Sequence, residues 1–207
     1  MFCEQWGFVS SAWSGKGTVS RLVVPCRAER SPEAASAALN LPSIRLRPLP
    51  VAEGNALVAG SGAPPAGLRW HPDYPMTETL EALGMILAAH RVMGLAADAE
   101  PDWWISQIVL GDLVVGDIGF HGPPATPLEG QQEVDVEIGY NVVPELRGRG
   151  IATRAVGLLL EQAWRAGATV VRAETDADNA ASRGVLLRAG FTALGHDQYA
   201  ITRPELS

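Results

Sequence analysis

The chain has 207 residues, enough for one domain with a substantial core, or for one domain and a tail. A net charge of −7 and a pI near 5.1 argue against nucleic acid as a general partner and suit a protein that handles cationic or neutral amines. The two cysteines, Cys3 and Cys26, make neither a disulfide framework nor a metal pattern, no apolar run approaches a membrane span, and the first four residues lack the basic start of a secretory signal, so the expectation is a cytoplasmic protein.

Residues 1–40 hold Trp6, Phe8, Trp13, Leu22, Val23 and Val24 scattered among Gly and Ser, then a stretch of Ala, Ser, Glu and Arg. Without a sustained period, the segment up to residue 42 reads as an extension, poorly ordered or weakly packed. Residues 43–48 alternate apolar and polar side chains as an edge strand does, and the domain starts there. Residues 51–69, rich in Ala, Gly and Pro, hold a short helix and a loop, and 70–75 form a turn-rich link. Thr77 can cap a helix that places Leu80, Leu83 and Leu87 on one face. Residues 102–110 and 113–120 read as strands around Gly111-Asp112, a strong hairpin signal, and 123–130 as a loop.

Residues 134–143 form the next strand and stop at Pro144. Val134, Val136, Ile138 and Tyr140 share one face, and Glu133, Asp135, Glu137 and Asn141 the other. A loop with Gly148 and Gly150 follows, then a helix over 151–166 with Ile151, Ala155, Leu158, Leu159 and Ala163 on one stripe and Gly167 at its close. Glycines there let backbone N–H groups crowd together, and the helix start offers unpaired amides and a positive dipole end. Arg147 and Arg149 add charge, so the loop is built for the phosphates of a cofactor. No Lys-Ser/Thr pair follows the last glycine, which excludes a Walker loop. The missing third glycine and acidic residue exclude a Rossmann fingerprint. Residues 169–175 are a strand, Asn179 caps a helix that ends at Gly190, and 192–202 hold one or two strands. The order β-α-(α)-β-β-β-α-β-α-β gives a mixed α/β sheet with the cofactor loop near its middle.

Arg147-x-x-Gly150-x-Ala152 resembles the acyl-CoA pyrophosphate loop, Gln/Arg-x-x-Gly-x-Gly/Ala, of the GCN5-related N-acetyltransferases (GNAT). Residues 136–140 resemble that family's fourth strand. Asn179-Ala-Ala-Ser182 with Gly190-Phe191 resembles its Asn-x-x-Ser…Gly-Phe helix, especially in the branch that acetylates protein N-termini, including those of ribosomal proteins. The resemblance is specific over 133–195, weak over 43–132 and absent over 1–40. It implies a mostly antiparallel sheet flanked by helices and splayed between the fourth and fifth strands. It also implies acetyl-CoA as co-substrate, direct transfer to an amine in a ternary complex, and phosphate binding by Arg147, Gly148, Arg149, Gly150, Ile151, Ala152 and Thr153.

Acetyl transfer to an amine needs a base for the nitrogen, donors for the oxyanion and a proton for the leaving thiolate. The resemblance gives the oxyanion to backbone N–H groups at Asn141, Val142 and Val143. Glu137, on the non-core face of the strand, is the best candidate base; a solvated strand carboxylate is the bland alternative. The resemblance brings Asn179 to the pantetheine or adenine side and Ser182 to the thiol end, although an N-cap with a serine at N3 accounts for both without a ligand. Relatives carry a tyrosine in that helix where this chain has Leu186 and Leu187, which leaves Tyr199 as the default acid, with packing on the sheet as its rival role. Trp70, Tyr74, Trp103 and Trp104 suit an acceptor pocket or, better, the core. The four histidines are dispersed and show no metal-ligand spacing, so no metal is expected. The acceptor is a small amine or a protein N-terminus, with assembly as a homodimer left open. The rival of another class is a non-catalytic acyl-CoA-binding regulatory module.

Overall fold

A computed structural model describes residues 42–92, 94, 103–124 and 134–204. Residues 1–41 of the expected extension, Asp102, Glu133 and the loop beyond Pro124 lie outside the described residues. Among the described residues eight strands form one sheet: β1 (Ile44–Pro48), β2 (Arg69–Trp70), β3 (Ile105–Leu110), β4 (Leu113–Phe120), β5 (Asp135–Val142), β6 (Val170–Glu174), β7 (Thr192–Gly195) and β8 (Gln198–Thr202). Their order is β1-β3-β4-β5-β6-β8-β7, with β2 beside β4. The β2–β4 and β5–β6 pairings are parallel and the others antiparallel. β2 falls in what the sequence presents as a link, because two residues carry no periodic signal. By its presence the splay lies between the fifth and sixth strands in chain order.

The helices are α1 (Val51–Val58), α2 (Thr77–Val92), α3 (Ile151–Arg165) and α4 (Ala180–Arg188). α3 forms because Ile151, Ala155, Val156, Leu159, Leu160 and Ala163 recur at helical spacing and are all buried. It stops where Gly167 takes φ 97° and the Ala166 and Ala168 amides donate to Gln162 and Ala163 carbonyls. These residues join β3, β4 and β5 in the main core, together with Leu186 of α4 and Tyr199 of β8. On the opposite face, Leu57 of α1 and Leu83 and Leu87 of α2 close over Leu49, Trp104 and Ile105 in a second cluster. β3 and β4 are therefore covered on both faces, and residues 114–120 are buried without interruption.

Two irregularities shape the middle of the sheet. Ile108 pairs with Gly116 and Val109 with Val114, so β4 carries Val115 as an extra residue, a β-bulge. β5 pairs with β6 only through Asp135, Val136 and Glu137, and with β4 through Ile138 to Val142. Beyond Glu137 the two parallel strands separate, and a cleft opens in the sheet directly before the loop that leads into α3.

Candidate active site

The loop at the mouth of this cleft turns on two left-handed glycines, Gly148 at φ 75° and Gly150 at φ 79°. A Cβ built at either would meet nothing within 4 Å, so the loop faces open space. Gly150 is the N-cap of α3 and offers no side-chain acceptor, and the first turn holds no acidic residue. The opening amides of α3, including those of Ile151, Ala152 and Thr153, thus face outward with the dipole's positive end. Thr153 Oγ1 is buried with no hydrogen-bond partner. An anion with several oxygens fits this donor set.

Neither arginine of the loop is spent on that space alone. Arg147 Nε donates to the Val142 carbonyl at 2.8 Å, and its Nη2 to Asn141 Oδ1 at 3.3 Å, so this guanidinium straps the loop to the end of β5. Arg149 Nη2 donates to the Glu145 carbonyl at 3.3 Å. At the same strand end the Val143 N–H donates to the carbonyl of Val115, the bulged residue, at 2.9 Å. It is therefore committed to the sheet, a correction to the expectation that Val143 presents its amide to a thioester. The His121 N–H likewise donates to the Glu137 carbonyl. Antiparallel alternation then assigns the odd residues 137–143 to β4 and turns the backbone groups of Ile138, Tyr140 and Val142 toward the cleft. The Asn141 amide falls with the first set and the Val142 amide with the second.

The same alternation puts His121, Glu137, Asp117 and Asn141 on the α2 face of the sheet. His121 Nδ1 lies 3.0 Å from Glu137 Oε1, with the two side chains 28% and 45% exposed. The hydrogen bond to His121 holds the Glu137 carboxyl below the usual carboxylate range; partial burial opposes this, and the charges of His121 and Arg172 reinforce it. Arg172 is itself paired with Asp135. Asp117 is buried under α2, where it accepts a hydrogen bond from Thr79 Oγ1. Burial pushes its pKa up to about 7 against that bond, with the charge of Glu78 adding to the rise.

On the far side of the cleft, Asn179 Oδ1 accepts from the Ser182 N–H at 3.0 Å, the N-cap geometry expected from the sequence. Ser182 Oγ is 2.7 Å from Tyr140 Oη, and Tyr140 also reaches the Ser182 carbonyl at 3.1 Å. Tyr199 is 6% exposed, and its Oη accepts from Arg183 Nε at 3.2 Å. Its place within the main core fits the packing role that rivals the default acid. Tyr74 and Trp104 are buried in the two cores, and Trp70 and Trp103 pack against them. The pairings of His121 with Glu137 and of Tyr140 with Ser182 escape the sequence reading, because each depends on strand register or on a contact 42 residues long. The alternation of β5 is a signal for Tyr140, but one that reads as core. Among the described residues no group of three or more His, Cys, Asp or Glu is placed to hold a metal ion, and no helix is long and apolar enough to cross a membrane.

The family model described as the acetyltransferase (GNAT) domain matches residues 43–192. The chain belongs to the GNAT family. This GNAT domain is similar in fold to RimJ of Mycobacterium smegmatis, solved in complex with CoA-disulfide: 21% identity, 78% of this chain and 82% of that chain covered, TM-score 0.51. It is also similar to RimL, a ribosomal L7/L12 α-N-protein acetyltransferase solved with coenzyme A, at 21% identity over 77% of this chain and 94% of that chain, TM-score 0.50. No curated protein matches the sequence.

Proposed function

We propose that this GNAT domain is an N-acetyltransferase that moves an acetyl group from acetyl-CoA to an amine within a ternary complex. The observation that carries the reading is the uncapped start of α3, with two left-handed glycines and an unpartnered Thr153 hydroxyl, placed where β5 and β6 part. Acetyl-CoA supplies the activated acyl group as a thioester. Gly148, Gly150, Ile151, Ala152 and Thr153 hold its phosphates, and Arg147 keeps that loop in register with β5. The Val142 amide, turned toward the cleft, is the backbone donor for the oxygen that gains charge. Glu137 takes the proton of the amine, directly or through water, and His121 fixes the carboxylate. Because Glu137 is ionised well below neutral pH, the supply of neutral amine governs the rise of activity with pH. A protein N-terminus suits these needs, having the lowest pKa among common protein amines, and the fold likeness to RimL supports that acceptor class.

Thiol release from acetyl-CoA across a panel of small amines and peptide N-termini, with mass analysis of the products, tests the activity; amine-independent thiol release would sink it. Glu137→Gln is expected to lower kcat by about 10²–10⁴-fold with acetyl-CoA affinity unchanged, the usual cost of a lost base. The deficit should shrink as pH rises. A variant within a few-fold of the parent at neutral pH would return Glu137 to the role of a surface carboxylate.

A further inference from the structure

Tyr140 stands on β5 past the last residue that pairs with β6, and its hydroxyl crosses the cleft to the first turn of α4. Two acceptors lie within its reach there, the Ser182 carbonyl and Ser182 Oγ, while the Ser182 hydroxyl carries a proton of its own. A phenol–hydroxyl pair of this kind can pass a hydrogen bond along by rotation of two O–H groups, with no heavy atom moving. Tyr140 and Ser182 are both half-buried, so the pair is neither sealed in the core nor dissolved in water. Leu186 and Leu187 leave α4 without a phenol, and Tyr199 is tied to Arg183 inside the core. The cleft is supplied with a phenol from the strand instead.

We propose that Tyr140 is a positioning residue for the leaving thiolate, acting through Ser182; this rests on the acetyl-transfer reading above. As the amine nitrogen bonds to the acyl carbon, the carbon–sulfur bond breaks and its electron pair stays on sulfur. Ser182 turns its O–H to the sulfur, and Tyr140 turns its O–H from the Ser182 carbonyl to Ser182 Oγ. The amine's proton goes to Glu137, and the sulfur takes a proton from water on release. Burial holds the Tyr140 hydroxyl up at about 12, so the phenol keeps its proton where a thiol, near 8.5, loses it. The charge that bears on it is that of Arg188 of α4, with the hydroxyl of Tyr199 on β8 also nearby. The nearby guanidinium of Arg188 favours negative charge at this point.

The test needs no turnover. In the parent, affinity for CoA relative to desulfo-CoA, measured by calorimetry, is expected to rise several-fold from about pH 7 to about pH 9.5, through the thiol's ionisation. Tyr140→Phe, which keeps the ring, should flatten that rise and leave desulfo-CoA affinity unchanged. Ser182→Ala should do the same, and the double variant no more than either alone. In turnover, Tyr140→Phe should lower kcat by at least about 10-fold, the size of one hydrogen bond to a charged group. Acetyl-seleno-CoA, whose leaving group is the weaker base, should recover most of that loss. A rise that persists in Tyr140→Phe, an equal loss of CoA and desulfo-CoA affinity, or an equal kcat deficit with both esters overturns the proposal. A parent that shows the pH-dependent CoA affinity yet acetylates no amine overturns the proposed function instead.

Discussion

Asp117 is a carboxyl group with 5% exposure, on the sheet face that α2 covers, and its hydrogen bond comes from a neutral hydroxyl, that of Thr79. Taking a carboxylate out of water is costly without a countercharge, so the folded chain favours the protonated form. Its pKa of about 7 in the fold stands above the value near 3.9 of an unfolded chain. A raised carboxyl pKa means that the folded state binds the proton more tightly. The associated stability is complete below about pH 4 and is lost as pH rises toward 7, with a slope of at most about 1.4 kcal/mol per pH unit. Asp117→Asn keeps the shape and removes the titration. Denaturant unfolding at pH 5 and pH 8 should therefore show the variant gaining on the parent at the higher pH. Equal pH dependence in both would mean that water or a partner keeps Asp117 ionised. The group matters to the site because it is the cross-strand partner of Asn141.

At the scale of elements, the end of β5 is set by its neighbour. The bulge at Val115 and the bare backbone of Gly116 let β5 lie close: a Cβ at Gly116 would stand 2.1 Å from the Asn141 carbonyl oxygen. The obstacle is main chain on both sides, so no side-chain rotation relieves it. Gly116→Ala should cost about 1–3 kcal/mol, as overpacking usually does, and should raise the KM for acetyl-CoA by moving Asn141 and Val142. A thermal melt and a KM unchanged from the parent would show that β5 can shift freely. None of this is legible in the sequence, where Gly116 is one of many glycines, whereas the stripe of α3, the Gly111-Asp112 hairpin and the Gly148–Gly150 loop are all visible. The difference is one of range. Periodicity, caps and turns are written in neighbouring residues, but the bulge, the two-residue β2 and the His121–Glu137 contact exist only once strands have chosen a register. The alternation along β5 correctly turns Tyr140 inward, and reading that face as core hides the one polar atom at the end of its ring.

Across the whole molecule the sheet is two half-sheets that share a seam of three residue pairs, Asp135 with Val170, Val136 with Val171 and Glu137 with Arg172. On one side stand β1, β3, β4 and β5, bound by long antiparallel ladders, with the short β2 beside β4. On the other stand β6, β8 and β7 with α4, in which Leu186 is buried. The main core joins the two halves through Leu186, Phe191 and Tyr199, but so short a backbone seam leads us to expect that the C-terminal strands open at lower cost than the long ladders do. In the ligand-free chain, amides of β6 and β8 should exchange with deuterium by an opening that β3 and β4 do not share. A molecule lodged between the halves binds only when both are in place. At about 100 times its Kd, CoA should slow exchange in β6 and β8 by about 100-fold, against a smaller change in β3 and β4. Uniform slowing across the sheet would mean that the seam already locks the halves together. Should CoA protect β6 and β8 in that way, the cleft would have a thermodynamic meaning as well as a geometric one: filling it would join the two half-sheets into one cooperative unit, and coenzyme would shield the C-terminal strands from proteolysis.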